Sequence, residues 1–319
     1  MQQDFGACYA HAMPKISVVI SSFNRERFIA EAIQSVLDQT SPPLEIIVVD
    51  DGSTDQTEQV VRSLSGAVPI YYHRRLHQGQ AATNNFGVSM AKGDWVAFLD
   101  SVDLWYPHKL AVQVAALEAH PGVPFFYCKL DYARTDELGH EIPAERGWDS
   151  VLIPLIFQGQ PNASVPAVLL RKDVFVKEGG FNPSLRIGVS WELFVRIAHK
   201  YPIHYIPQSL AKQRLHSGQV TRDLRGKTEN YHRFHACLYK IWSDDPAKQA
   251  ILLRDTARLY ADLGRQFLGS GDYFDAQRCF RWSLSYRPLS WKNWRRLGIS
   301  YLPGLREWYG RRKATPEAH

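Results

Sequence analysis

Four aspartates stand where they could do chemistry together. Asp50 and Asp51 occur in EIIVVDDGSTDQT, and Asp100 and Asp103 in GDWVAFLDSVDLWYPHKL. A third segment, KISVVISSFNRERF, supplies Ser21 and Phe23. Each apolar run reads as a buried parallel strand, and its polar residues follow at the strand end. Two runs end in a loop that opens a helix, and the third ends in the acidic cluster. An open α/β sheet builds a nucleotide pocket in this way, at its strand ends. DDGSTD alone is equally a turn followed by a helix cap. The three segments in register carry the reading.

The elements that must position these residues follow from periodicity. Strands are expected over Ile16–Ile20, Ile46–Val49, Ile70–Tyr72 and Trp95–Leu99. Helices are expected over Arg27–Asp38, over Thr54–Leu64 with Ser53 or Thr54 as cap, over Gly79–Ala91 and over Lys109–Ala119. Such alternation implies βαβ crossovers and a mostly parallel sheet. Residues 133–162 are rich in Gly, Pro and charge and read as a mobile loop crossing the active face. Later strands are expected at Val165–Leu170, Ile203–Ile206 and Leu210–Leu215, and a helix at Trp191–His199. From about Arg225 the pattern is helical. Gly264, Gly271, Tyr273, Ala276, Phe280 and Pro288 fit a single tetratricopeptide-like helix pair.

Residues 15–110 resemble the nucleotide-binding half of a family 2 glycosyltransferase with the GT-A fold. The resemblance rests on SSFNR, VVDDGSTD, GQAATNNFG and FLDSVDLWYPHKL in family order and spacing. It continues through GGFNPSLRIG and RLHSGQVTR, covering about residues 14–222. It implies a mostly parallel open sheet with flanking helices, residues 1–13 as an N-terminal extension, and residues 223–319 as an α-helical C-terminal region. It further implies that Ser21 and Phe23 floor the base, Asp51 accepts from the base N–H, Thr83 lies beside the base and Asp100 contacts the ribose. A carboxylate accepting from N–H makes a strong directional bond. Many relatives carry Arg where Thr83 stands.

Two positions depart from the family pattern. A divalent cation, Mg²⁺ or Mn²⁺, would neutralise the departing diphosphate as a Lewis acid. The family's main metal carboxylate falls at Val102, which cannot ligate a hard cation. Asp103 and His216 are then the candidate metal ligands. The family's general base, which takes the acceptor hydroxyl proton, falls at Ser190, preceded by Val189. Glu192 is the carboxylate nearest that position and a candidate base. Two residues along a helix turn it about 200° around the axis.

Composition bounds the function. The 319 residues are 45% hydrophobic and 22% charged, ordinary for a globular protein. Four cysteines without a CxxC pair suit free thiols in a reducing compartment. No signal-peptide core or run of ~18 apolar residues is seen, so no membrane span is expected. The net charge of +6 is concentrated after residue 224, where 18 Lys/Arg face 9 Asp/Glu. The basic tail, mixed with Trp and Tyr, suits peripheral contact with a membrane surface; nothing reads bases, so no nucleic acid partner is expected. The resulting expectation is an inverting, cytoplasmic enzyme, peripheral on the inner face of the cell membrane. It would move sugar from a nucleoside-diphosphate donor, a UDP-sugar, to a hydroxyl of a glycan, lipid-linked or protein-linked acceptor in cell-envelope polysaccharide synthesis. The alternative is a catalytically impaired sugar-nucleotide-binding or partner-binding protein on the same fold.

Overall fold

The computed structural model describes residues 14–135, 141–143, 163–186, 188–215 and 224–302. Among the described residues nine strands form one sheet: β1 Ile16–Ser22, β2 Glu45–Asp50, β3 Ile70–Arg74, β4 Trp95–Asp100, β5 Leu104–Trp105, β6 Phe125–Thr135, β7 Glu141–Pro143, β8 Val168–Arg171 and β9 Ile203–Leu215. The order is β3-β2-β1-β4-β8-β6-β9-β5, with β7 paired to β6. β3, β2, β1 and β4 run parallel. Every residue of β1 and β2 is buried, as their continuous β-branched runs require.

The second half of the sheet is mixed. β8 inserts antiparallel between β4 and β6, while β6 and β9 pair parallel. The two late strands expected at 203–206 and 210–215 are one strand, with its register against β6 shifted around Cys128–Leu130. Val165–Ala167 is a 3-10 turn rather than the start of a strand. The expected loop over 133–162 falls mostly outside the described residues. Within it, β6 runs on to Thr135 and Glu141–Pro143 adds a short strand.

Helices α1 Ile29–Leu37, α2 Thr57–Ser63, α3 Gln80–Met90, α4 Lys109–Ala119, α5 Lys172–Lys177 and α6 Val189–Lys200 flank the sheet. The expected Ser53 or Thr54 cap is not formed: α2 starts later, with no side-chain cap at Gln56. Asp55 instead accepts from the backbone N–H and hydroxyl of Thr57 at 3.0 and 2.5 Å. Beyond these lie α7 Leu224–Ile241, α8 Pro246–Gly269, α9 Tyr273–Tyr286 and α10 Trp291–Tyr301. α8 and α9 pack as a hairpin turned at Gly271, whose φ is +81°. Tyr231, Phe234 and Leu238 of α7 join the same buried core as the sheet, so the helices pack on the main body. Residues 1–13, His216 and the tail 303–319 lie outside the described residues, so the extension, one metal candidate and the tail have no structural account.

Candidate active site

The parallel register brings the predicted residues to one edge. Ser21 lies opposite Val49 of β2 and Asp100 of β4, and Ser22 opposite Asp50. The ends of β2, β1 and β4 thus form a continuous lip from Asp51 through Ser21 to Asp100.

Asp50 shapes the lip. It accepts from the Ser53 N–H at 2.7 Å and from the Tyr72 hydroxyl at 2.5 Å. Burial, with the Asp50 carboxylate beside it, pushes the Tyr72 phenol above its usual range. Asp51 is buried and accepts from the N–H groups of Gln78 and Gly79 at 2.8 and 2.9 Å. His77 Nδ1 stands 2.9 Å from Asp51 Oδ2. A carboxylate has about four lone-pair sites, and these contacts leave one for a ligand N–H. Asp51 is therefore oriented by the loop that leads into α3.

Phe23 and His77 make a ring pair with centroids 4.5 Å apart, so His77 covers part of the expected base floor. Thr83 is buried, and its hydroxyl donates to Gly79 O of its own helix at 2.9 Å. It braces the helix start and presents no donor toward the lip. Asp100 is half-buried and accepts from the Gln80 side chain at 2.7 Å. Burial pushes its carboxyl up to about 6, with the Gln80 bond and the Arg25 charge opposing the shift. His77, Gln80 and Arg25 were not singled out from sequence. Gln80 and Arg25 had a signal there, Gln80 in the GQ that opens α3 and Arg25 at the end of SSFNR.

Of the two metal candidates, only Asp103 is among the described residues. Val102 is buried, and its carbonyl accepts from Arg214 Nε. Asp103 is 1% exposed and accepts from the Arg214 backbone N–H at 2.9 Å. The Arg214 guanidinium also reaches Glu31 at 2.6 Å. Asp103 and Arg214 therefore fasten the loop after β4 to β9. Among the described residues, no three His, Cys, Asp or Glu side chains gather where they could hold a metal ion. Among the described residues, the lip offers Asp100 and an Asp51 already committed to the Gln78 and Gly79 N–H groups, which is no ligand set for the Mg²⁺ or Mn²⁺ expected from the resemblance.

Both base candidates lie in α6. Ser190 is half-buried in the first turn of α6, after Gly188 in the left-handed region. Glu192 is buried, and Arg196 binds both its oxygens at 2.7 and 2.8 Å. Arg196 also donates to Gly180 O at 2.6 Å and to Glu178 O. The Glu192 charge is thus engaged by Arg196, which in turn holds the 178–180 turn. That turn is clamped to α3 from the other side. Asn85 donates to Phe181 O and accepts from Phe181 N–H, each at 2.8 Å. Gly180 has φ +67°, and a Cβ there would lie 2.7 Å from Asn85 Oδ1. α3 and the 178–180 turn are thereby tied together through Asn85 and Phe181.

Comparison with known proteins agrees with this geometry. The family model described as Glycosyl transferase family 2 matches residues 17–178. An uncharacterized glycosyltransferase of Rickettsia felis is 34% identical over 209 residues, covering 65% of this chain but 34% of that protein. The chain thus spans about a third of that relative. The Escherichia coli UDP-Glc:alpha-D-GlcNAc-diphosphoundecaprenol beta-1,3-glucosyltransferase WfaP is 33% identical over 106 residues, covering 33% of this chain and 42% of its own. Among solved structures, Staphylococcus aureus TarS 1-349 in complex with UDP-GlcNAc matches with a TM-score of 0.67 at 17% identity, covering 95% of this chain and 93% of that one. That likeness shows a shared GT-A fold. With half its length under the family model and the strand-end lip in place, the chain belongs to glycosyltransferase family 2.

Proposed function

We propose that this chain binds a UDP-sugar along the lip from Asp51 to Asp100 and transfers the sugar, with inversion, to an acceptor hydroxyl. The observation that carries the reading is the register placing Asp51, Ser21 and Asp100 on one strand-end edge. In this reading the last free lone pair of Asp51 accepts from the uracil N–H. Phe23 and His77 flank the base, and Asp100 accepts from a ribose hydroxyl. The acceptor oxygen bonds to the anomeric carbon as the bond to the diphosphate breaks, near Ser190 and the 178–180 turn, and the hydroxyl proton passes to the departing diphosphate. The acceptor is a glycan, lipid-linked or protein-linked hydroxyl in cell-envelope polysaccharide synthesis at the cytoplasmic face of the membrane. No step is routed through a metal.

Val102 and Ser190 favour a second reading, a sugar-nucleotide-binding protein without turnover. Release of UDP from UDP-glucose and UDP-GlcNAc, measured with and without Mn²⁺, separates the two. Release above the background hydrolysis of the donor supports transfer. Tight UDP binding with no release, even in a Val102→Asp, Ser190→Asp variant, supports the second reading.

A further inference from the structure

A cluster of basic side chains lies away from the strand-end lip. Between α8 and α10 is a cavity of about 570 Å³ lined by six basic side chains, Arg254, Arg258, Arg265, Arg287, Lys292 and Arg296. Asp255 and Asp262 also line it, so the cavity carries a surplus of four positive charges. Arg265 is neutralised by Asp262, and Arg296 reaches Asn293 Oδ1 at 3.3 Å. The side chains of Arg254, Arg258, Arg287 and Lys292 make no hydrogen bond or ion pair among the described residues. Ser290 and buried Asn293 add neutral polar groups to the wall. Converging guanidinium groups match the oxygens of a phosphate, which they grip with paired N–H donors.

Exposed apolar side chains adjoin the lining residues along the chain. Leu289 lies between the lining residues Arg287 and Ser290 and is 95% exposed. Trp291 lies between Ser290 and Lys292 and is 62% exposed, and Trp294, a turn later, is 55% exposed. The Trp294 indole N–H is satisfied by Pro288 O at 2.8 Å, leaving its ring to the surroundings. A free phosphate would neutralise the arginines and leave these side chains in water. A phospholipid surface covers both: headgroup phosphate against the cations, and the interfacial layer against Leu and Trp. We propose that the cavity between α8 and α10 is a docking site for anionic phospholipid headgroups, seating this end of the chain on a membrane surface. The site does not depend on the donor reading, because none of its residues belongs to the lip.

The test is co-sedimentation of the full chain with neutral phosphatidylcholine vesicles and with vesicles containing a third phosphatidylglycerol, alongside calorimetric titration with inorganic pyrophosphate. Binding to the anionic vesicles is expected to exceed binding to neutral ones and to weaken with salt. Arg254→Ala with Arg258→Ala should lower it by roughly twenty-fold, at about five-fold per cation. Leu289→Ser with Trp291→Ser should lower it separately. All four positions are exposed, and an unchanged helical circular dichroism spectrum confirms that each variant folds. Arginine-dependent pyrophosphate binding without vesicle binding would overturn the lipid assignment. So would vesicle binding that the arginine variant leaves intact, since that would place the contact elsewhere in the chain, and so would equal binding to both vesicle types.

Discussion

At the scale of single residues, Asp100 links the geometry to pH. Its folded value, about 6, lies above the 3.8 of the free side chain, so between these values the folded state holds more protons than the unfolded one. Its contribution to apo stability therefore falls as pH rises through that window. Donor binding runs the other way, because only the carboxylate accepts freely from ribose hydroxyls. UDP affinity should climb as pH rises through about 6, and Asp100→Asn should remove that part of the climb. Calorimetry on both proteins between pH 5 and 7 checks this, and their difference cancels the titration of UDP itself. Glu192 makes the opposite kind of prediction. Its carboxylate is committed to Arg196, and breaking a buried pair costs about 3 kcal/mol. Glu192→Ala should lower the unfolding midpoint in urea. A variant with unchanged stability and abolished UDP release would instead make Glu192 the base.

At the scale of elements, the 178–180 turn and α3 are tied together through Asn85 and Phe181. Gly180→Ala would force φ +67° on a side chain and drive its Cβ against Asn85. A loss of about 1–3 kcal/mol is expected in chemical denaturation, whereas Gly179→Ala meets nothing within 4 Å and carries only the backbone cost. This coupling shows where sequence reading succeeds and stops. β1, β2 and β4 were legible because buried parallel strands are continuous apolar runs. Asp51 and Asp100 were placed by the polar residues that end those runs. The antiparallel β8 insertion was not legible, since pairing with β4 and β6 depends on contacts more than 40 residues away in the chain. The contacts of Asp103, Thr83 and Glu192 were hidden for a related reason: a motif gives no sign of which side chain or carbonyl its residues will meet, and Arg214 lies 111 residues from Asp103 in the chain. Val102, by contrast, was readable at once, because a hydrocarbon side chain cannot ligate a cation wherever it lies.

At the scale of the whole molecule, the C-terminal helices are part of the same folded body. Gly264 lets α8 and α9 approach so closely that an added Cβ would lie 2.8 Å from the Phe280 ring. Gly264→Ala should destabilise the chain by about 1–3 kcal/mol through overpacking, read as an earlier midpoint in thermal unfolding. Among the described residues no helix is long and apolar enough to cross a membrane. The central claim about the molecule is that a uridine nucleotide lies along the lip from Asp51 to Asp100. It is tested most directly by calorimetric titration of UDP into the parent chain and into Asp51→Asn and Asp100→Asn, in buffer without divalent cations. The account predicts a single site in the parent and affinity at least about ten-fold weaker in each variant, the cost of losing a hydrogen bond to a charged acceptor. Equal affinity in all three proteins, or no UDP binding by the parent, would contradict it.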